Sequence, residues 1–278
     1  MKSKKRLKLS DMILYLVLSL GAFIMVLPFV WTVLSSLKNM GQTFSVPPTI
    51  LPNPVVWENY PESLQALPFG RAYFNSLYIA VVVVAVQLLT ASMAGYAFAK
   101  LKFRGHNLLF ILFLSTMMIP SQVTMIPLFL IMKNLKLLGS HLSLILPASL
   151  FNAFGVFLMR QFISSLPGEL EEAATIDGAS VPQTFFRIIL PLVKPSLSAF
   201  GIFVFLGQWN NFLYPLIFLN KTESFTVPLM LNFFKGTYAT DYPLLMAGTV
   251  ISIMPVLVVY LFFQKQIIQG IAITGMKN

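Results

Sequence analysis

Residues 167–195 read PGELEEAATIDGASVPQTFFRIILPLVKP and hold four of the chain's nine acidic residues, Glu169, Glu171, Glu172 and Asp177. Their order spells two short helices around one turn. Pro167 suits the first turn of a helix, because its ring presets φ and its missing N–H would be unpaired there. The three glutamates then meet the positive end of the helix dipole. Leu170, Ala173 and Ala174 fall at i, i+3 and i+4, which predicts a small-residue face suited to a shallow groove. Gly178 is placed to end this helix in the left-handed conformation that a Cβ disfavours. Ser180 and Gln183 have the S-x-x-Q spacing of a capping box and start a second helix at Val181. On that helix Val181, Phe185, Ile188 and Leu192 form one apolar stripe, expected to be buried. By its physics alone the segment is either a docking knob or an amphipathic hairpin lying at a membrane interface.

The flanks decide that a membrane is involved. Of 278 residues, 57% are hydrophobic and only 10% charged, with a mean hydropathy of +0.80; an ordinary soluble domain carries about 25% charge. Seven stretches of 19 or more residues lack Asp, Glu, Lys and Arg. One of them, 39–57, contains Pro47, Pro48, Pro52 and Pro54 and is expected to be a non-helical loop. The other six are each longer than the ~20 residues needed to cross the hydrocarbon core. They predict an all-α membrane protein with spans near 12–37, 72–99, 107–132, 141–162, 196–220 and 243–264, and a cytoplasmic loop at 165–194. The whole chain, 1–278, reads as a single transmembrane domain. Pro120, Pro127, Pro147, Pro215 and Pro255 fall inside spans and predict kinks.

Charge sets the orientation. Lys2, Lys4, Lys5, Arg6, Lys8, Lys100, Lys102, Arg104, Arg160, Arg187, Lys194, Lys265 and Lys277 would lie on one face, against Lys38, Arg71, Lys133, Lys136, Lys221 and Lys235 on the other. The positive-inside rule then puts both termini and the 165–194 loop in the cytoplasm. The net charge of +10 is topology, and no nucleic-acid partner is needed to explain it. The N-terminal apolar run is too long for a signal-peptide core and reads as a retained first helix. With no Asp, Glu, Lys or Arg inside the six apolar stretches, a proton relay is disfavoured and the work must be powered elsewhere. An intramembrane enzyme is disfavoured too, because His106 and His141 fall at opposite faces without a Cys or acid beside either. No glycine is followed by Lys, so the chain lacks a phosphate-binding loop of its own.

Glu172-Ala173-Ala174, Asp177-Gly178-Ala179, Phe185, Ile188, Leu190-Pro191-Leu192 and Pro195 together resemble the cytoplasmic coupling loop, or EAA motif, of ATP-binding-cassette importer permeases of the carbohydrate-uptake type. Asn75-Ser76-Leu77, Ala94-Gly95-Tyr96 and Trp209-Asn210-Asn211-Phe212 extend the resemblance over most of the chain. It implies a permease in a bacterial cytoplasmic membrane that forms half of a translocation pathway. The implied partners are a second permease subunit, two ATPase subunits whose opening and closing the loop transmits, and an extracytoplasmic solute-binding protein. ATP and Mg would be bound by the ATPases and no cofactor by this chain. The resemblance assigns the contact with the ATPase to Glu172, Ala173, Ala174, Asp177, Gly178 and Ala179. It also favours an outer loop at 221–241, with Phe233, Phe234, Tyr238 and Tyr242 around Gly236, as a contact with the binding protein.

Candidates for the solute pathway are Gln87, Asn152, Gln208, Asn210 and Asn211, all neutral, with Trp209 and Tyr214 able to stack on a sugar face. Intramembrane amides also serve as glue between helices, at roughly 1–2 kcal/mol or less per bond. A sugar is the expected solute; the same architecture importing a glycerol phosphodiester or a polyamine, and a non-transporting scaffold, stay open.

Overall fold

The structure is a computed structural model that describes residues 9–150, 152–235 and 240–275. Regular structure among these residues is helical, apart from one isolated bridge between Lys235 and Thr240. The basic cluster from Lys2 to Lys8, Gly236, Tyr238 and Lys277 lie outside the described residues. The chain forms two compact units, Met1–Leu67 with Phe233–Ile253, and Pro68–Asn232 with Met254–Asn278.

In the first unit α1 (Leu9–Ser36) is a long apolar helix whose buried residues, Ser35 and Ser36, sit at its last turn. The loop that follows is more ordered than its prolines suggest. It contains α2 (Met40–Thr43) and α3 (Asn59–Ala66), and only the stretch between them is non-helical. Asn39 and Gln42 form a reciprocal capping box that starts α2 ahead of the first proline, a local signal that the Pro count obscures. Asn59 Nδ2 donates to the carbonyls of Ser36 and Lys38, both at 2.8 Å. The Tyr60 hydroxyl meets Ser36 Oγ at 2.8 Å. Buried Lys38 donates to the Thr49 carbonyl and lies 4.5 Å from the centre of the Trp31 ring. These bonds fasten the loop to the end of α1. On the other segment of this unit, Tyr242 meets Phe44 edge to face at 5.3 Å.

The second unit is built on α4 (Phe69–Lys100). Next come α5 (His106–Ser115), α6 (Ser121–Asn134), α7 (Leu142–Leu150), α8 (Ala153–Ser164), α9 (Glu169–Ile176), α10 (Val181–Thr184), α11 (Leu190–Leu192), α12 (Lys194–Trp209), α13 (Leu213–Phe218) and α14 (Val227–Asn232). α15 (Tyr242–Gly275) begins in the first unit and continues in the second, passing through Pro255 without a break. The core of the second unit is α4 against α8 and α12, with Val83, Ala91, Val156, Met159, Phe200 and Val204 buried. Gly95 permits the close approach of α4 and α8, since a Cβ there would lie 2.6 Å from Met159 Cβ and 2.9 Å from the Arg160 nitrogen.

Among the described residues, four helical stretches, Leu9–Ser36, Phe69–Lys100, Leu142–Ser164 and Tyr242–Gln264, are long and apolar enough to cross a membrane, or up to six if each of two bent pairs is one span. The expected third span, 107–132, is a pair bent by 99°, broken at Pro120, while Pro127 sits inside α6 without ending it. The second bent pair is Val181–Leu192 with Lys194–Trp209, at 79°, and the expected fifth span, 196–220, is itself not continuous. α12 stops at Trp209, and α13 restarts at Leu213. The break falls before Pro215 because a proline ring collides with the carbonyl four residues earlier, here Asn211, so the helix ends there rather than at the proline. The fourth, 141–162, is covered by α7 and α8, with Asn152 extended ahead of α8.

Candidate functional site

The 165–194 loop folds as the two-helix knob that its sequence predicts, with three differences. Pro167 lies outside the helix, since the Glu171 and Glu172 amides both bond to the Gly168 carbonyl and the first turn closes one residue late. Gly178 has φ +77°. Its N–H donates to the Thr175 carbonyl at 3.0 Å and that of Ala179 to the Ala174 carbonyl at 2.9 Å, the paired bonds of a Schellman ending. Ser180 then opens α10, its N–H donating to Gln183 Oε1 at 2.7 Å.

The second difference concerns which face is presented. Ala174 is buried at 4% exposure and Leu170 is half-buried, so two of the three residues of the small-residue face pack against the chain's own body. What remains outward is Glu172, Ala173, Asp177, Gly178 and Ile176, the last 86% exposed; Ala179 is half-buried. The alanine pattern gave no sign that an isoleucine stands this exposed at the end of α9. The third difference is in the second helix. Residues Phe185–Ile189 form a π turn, closed by the Leu190 N–H on the Phe185 carbonyl. The extra residue per turn carries the buried stripe from Phe185 to Ile189 and Val193 and leaves Leu192 exposed against expectation; Val181, ahead of the π turn, is exposed as well.

Several contacts seat this knob on the end of α4. Lys100 Nζ lies 3.1 Å from Glu171 Oε2 and donates to the Leu166 carbonyl at 2.9 Å. The Tyr96 ring lies 5.4 Å from that of Phe185. Arg160 Nε donates to the Phe98 carbonyl at 3.1 Å, and His106 Nε2 meets the same oxygen at 2.7 Å. None of these partners was legible as a pair in the sequence, where Lys100 and Glu171 are separated by two apolar segments.

The pathway candidates separate into two groups. Gln208, Asn211 and Tyr214 line both a cavity of about 330 Å³ shared with Gln87, Thr124, Ser143 and Ala148 and a second of about 440 Å³ beside Ser121. All three are half-buried. They converge because α12 unwinds at Asn210, which turns the polar end of the helix toward α6 and α7. The Tyr214 hydroxyl donates to the Ser121 carbonyl at 3.4 Å, and Asn211 Oδ1 accepts from the Tyr214 amide at 3.4 Å.

The other candidates are engaged in contacts within the fold, although Gln87 and Asn210 also border a cavity. Gln87 borders the cavity but is buried, its Nε2 donating to the Ala148 carbonyl and its Oε1 accepting from Asn152 Nδ2. Asn152 Oδ1 in turn caps α8 through the Gly155 amide at 2.7 Å. Both amides therefore hold the junction of α7 and α8 closed. Trp209 is 3% exposed, stacked 5.7 Å from Phe205 and edge-on to Tyr73 at 5.5 Å, and so belongs to the core. Asn210 is exposed and lines only the second cavity, its Nδ2 turned back to the Leu206 carbonyl. The Asn75-Ser76 pair also has a structural use: Asn75 Nδ2 donates to the carbonyls of Glu223 and Phe225, and Ser76 Oγ accepts from the Val227 amide.

With that geometry in view, the family described as binding-protein-dependent transport system inner membrane component matches residues 87–273, from the amide in α4 through the knob and the cavity to α15. The chain belongs to this family. The permease is 37% identical over 260 residues to the arabinooligosaccharides transport system permease protein AraQ of Halalkalibacterium halodurans, covering 92% of this chain and 93% of that one. It is 33% identical to the lactose transport system permease protein LacG of Rhizobium radiobacter, covering 97% and 98%. Among solved structures, a bacterial ABC transporter involved in the import of the acidic polysaccharide alginate superposes with a TM-score of 0.82 at 25% identity, over 94% of the permease and 99% of that chain.

Proposed function

We infer that this permease forms half of the translocation pathway of an ATP-binding-cassette importer for a neutral sugar or short oligosaccharide. One observation carries the reading: Gln208, Asn211 and Tyr214 gather on cavities whose lining has hydroxyls, amides and an aromatic ring but no charged side chain. A sugar hydroxyl exchanges water for such groups at little cost, whereas an ion stripped of water there would cost several kcal/mol without a counter-charge. The relatives named for arabinooligosaccharide and lactose transport support the neutral solute. The alginate importer's acidic cargo is the contrasting case.

In this reading the chain crosses the bacterial cytoplasmic membrane six times, at α1, α4, the bent pair of α5 and α6, α7 with α8, α12 with α13, and α15, with both termini and the 165–194 knob in the cytoplasm. It works with a second permease subunit, two ATPases that bind ATP and Mg, and an extracytoplasmic binding protein that delivers the solute. The outward face of α9, with Glu172, Ala173, Ile176 and Asp177, enters the ATPase. The test is uptake by the complex reconstituted in liposomes with its binding protein, comparing arabino-oligosaccharide and lactose with an acidic oligosaccharide, a polyamine and a glycerol phosphodiester. ATP-dependent uptake of a neutral sugar supports the reading; uptake of charged solutes alone refutes it.

A further inference from the structure

The coupling knob is fastened to α4, a helix remote from it in sequence, and the fastening is electrostatic at one point. Lys100 is the last residue of α4, where a cation is favoured by the negative end of the helix dipole. It reaches both arms of the knob's base: Glu171 in α9 at 3.1 Å and the Leu166 carbonyl in the linker from α8 at 2.9 Å. The two side chains are 12% and 20% exposed, so the pair is largely withdrawn from water and its screening.

These contacts differ in the loads that they can carry. The ring contact between Phe185 and Tyr96 resists compression but has little hold when the surfaces part. An ion pair with supporting hydrogen bonds is directional and resists separation. The same α4 carries Gln87 thirteen residues earlier, about 20 Å along the helix at 1.5 Å per residue. There Gln87 binds the Ala148 carbonyl and Asn152 at the junction of α7 and α8, beside the cavity. A pull on α9 that reaches Lys100 is thus delivered to the cavity wall along one rigid helix.

We propose that Lys100 and Glu171 form a strut that stays closed through the transport cycle and carries the outward pull of the ATPases from the coupling helix to α4. This rests on the docking reading of α9 given above. Both are positioning residues, since neither lines the cavities, and Glu171 lies beside the presented Glu172 rather than being the presented acid.

The experiment measures ATP hydrolysed per solute molecule imported, in the reconstituted complex. K100M and E171Q are expected to assemble and hydrolyse ATP but to import at least about fivefold fewer molecules per ATP, the lower end of ordinary coupling between sites. K100R, which keeps charge and reach, is expected to stay near the wild-type ratio. A purely structural pair would lower the yield of complex while leaving that ratio unchanged, and an unchanged ratio in K100M and E171Q overturns the proposal.

Should either variant fail to assemble, the pair K100C and E171C decides, in a chain that has no cysteine of its own and with cysteine-free partners. Bridging the two thiols with a two-carbon bis-methanethiosulfonate should restore the ratio, and reductant should abolish it again. Bridging that stops transport shows that the contact must open in each cycle, and bridging without effect shows that no load passes. Either result overturns the strut, as does a cysteine pair that fails to assemble, which would leave the two residues a folding role alone. A wild-type complex that imports nothing fails the function reading itself, an outcome separate from a working wild type with unaffected variants.

Discussion

Replacing Gly178 with valine tests the turn on which the knob depends. Gly178 has φ +77°, and a Cβ built there meets nothing within 4 Å, so any penalty is conformational rather than a collision with neighbours. A residue with a Cβ held in the left-handed region costs roughly 1–2 kcal/mol, and a β-branched one is more strained still. If the turn relaxes instead, it gives up the Gly178–Thr175 and Ala179–Ala174 bonds, each worth about 0.5–1.5 kcal/mol net. Gly178→Val should therefore loosen the end of α9 by about 2 kcal/mol, which at tenfold per ~1.4 kcal/mol is a roughly 30-fold faster opening. Hydrogen exchange on the peptide spanning 169–184, in the complex in nanodiscs, reads this directly, with uptake measured in parallel. Gly178→Ala should fall between valine and wild type. Gly168→Ala is the control, because Gly168 also faces open space but has φ −67°, which alanine accepts. Wild-type exchange and normal uptake with Gly178→Val would falsify the claim that a left-handed residue sets the docking surface.

Other substitutions separate pathway from scaffold. Gln208→Ala and Asn211→Ala should raise the KM for uptake by about tenfold, the equivalent of one hydrogen bond of ~1.4 kcal/mol, while complex assembly is retained. Trp209→Ala should instead lower the amount of assembled complex, since deleting a buried aromatic costs about 3–5 kcal/mol; normal assembly with impaired uptake would return Trp209 to the pathway. Gly95→Val should prevent stable accumulation of the chain, read by membrane-fraction yield, because its Cβ would overlap Met159 and Arg160 on α8. Glu172→Lys should leave the chain assembled in the membrane and abolish uptake, as charge on the presented face of α9 is reversed.

The elements that depend on near neighbours were legible in the chain itself. Apolar length marked the spans, Gly178 the left-handed ending and Ser180 with Gln183 the capping box, because each is a contact between residues at most five positions apart. The all-helical class followed from the same local patterns. Where a pattern depended on helix phase, it failed. One π turn between Phe185 and Ile189 moved the buried stripe off Leu192, and no local propensity announces that extra residue. Composition could name amides in the spans but not say which were already bonded. Gln87 and Asn152 satisfy each other across 65 positions, whereas Gln208 and Asn211 reach the cavity because α12 unwinds beneath them. The seat of the knob on Lys100 and Tyr96 was likewise settled by packing, since a charge at the end of one helix has no partner until another segment is folded against it.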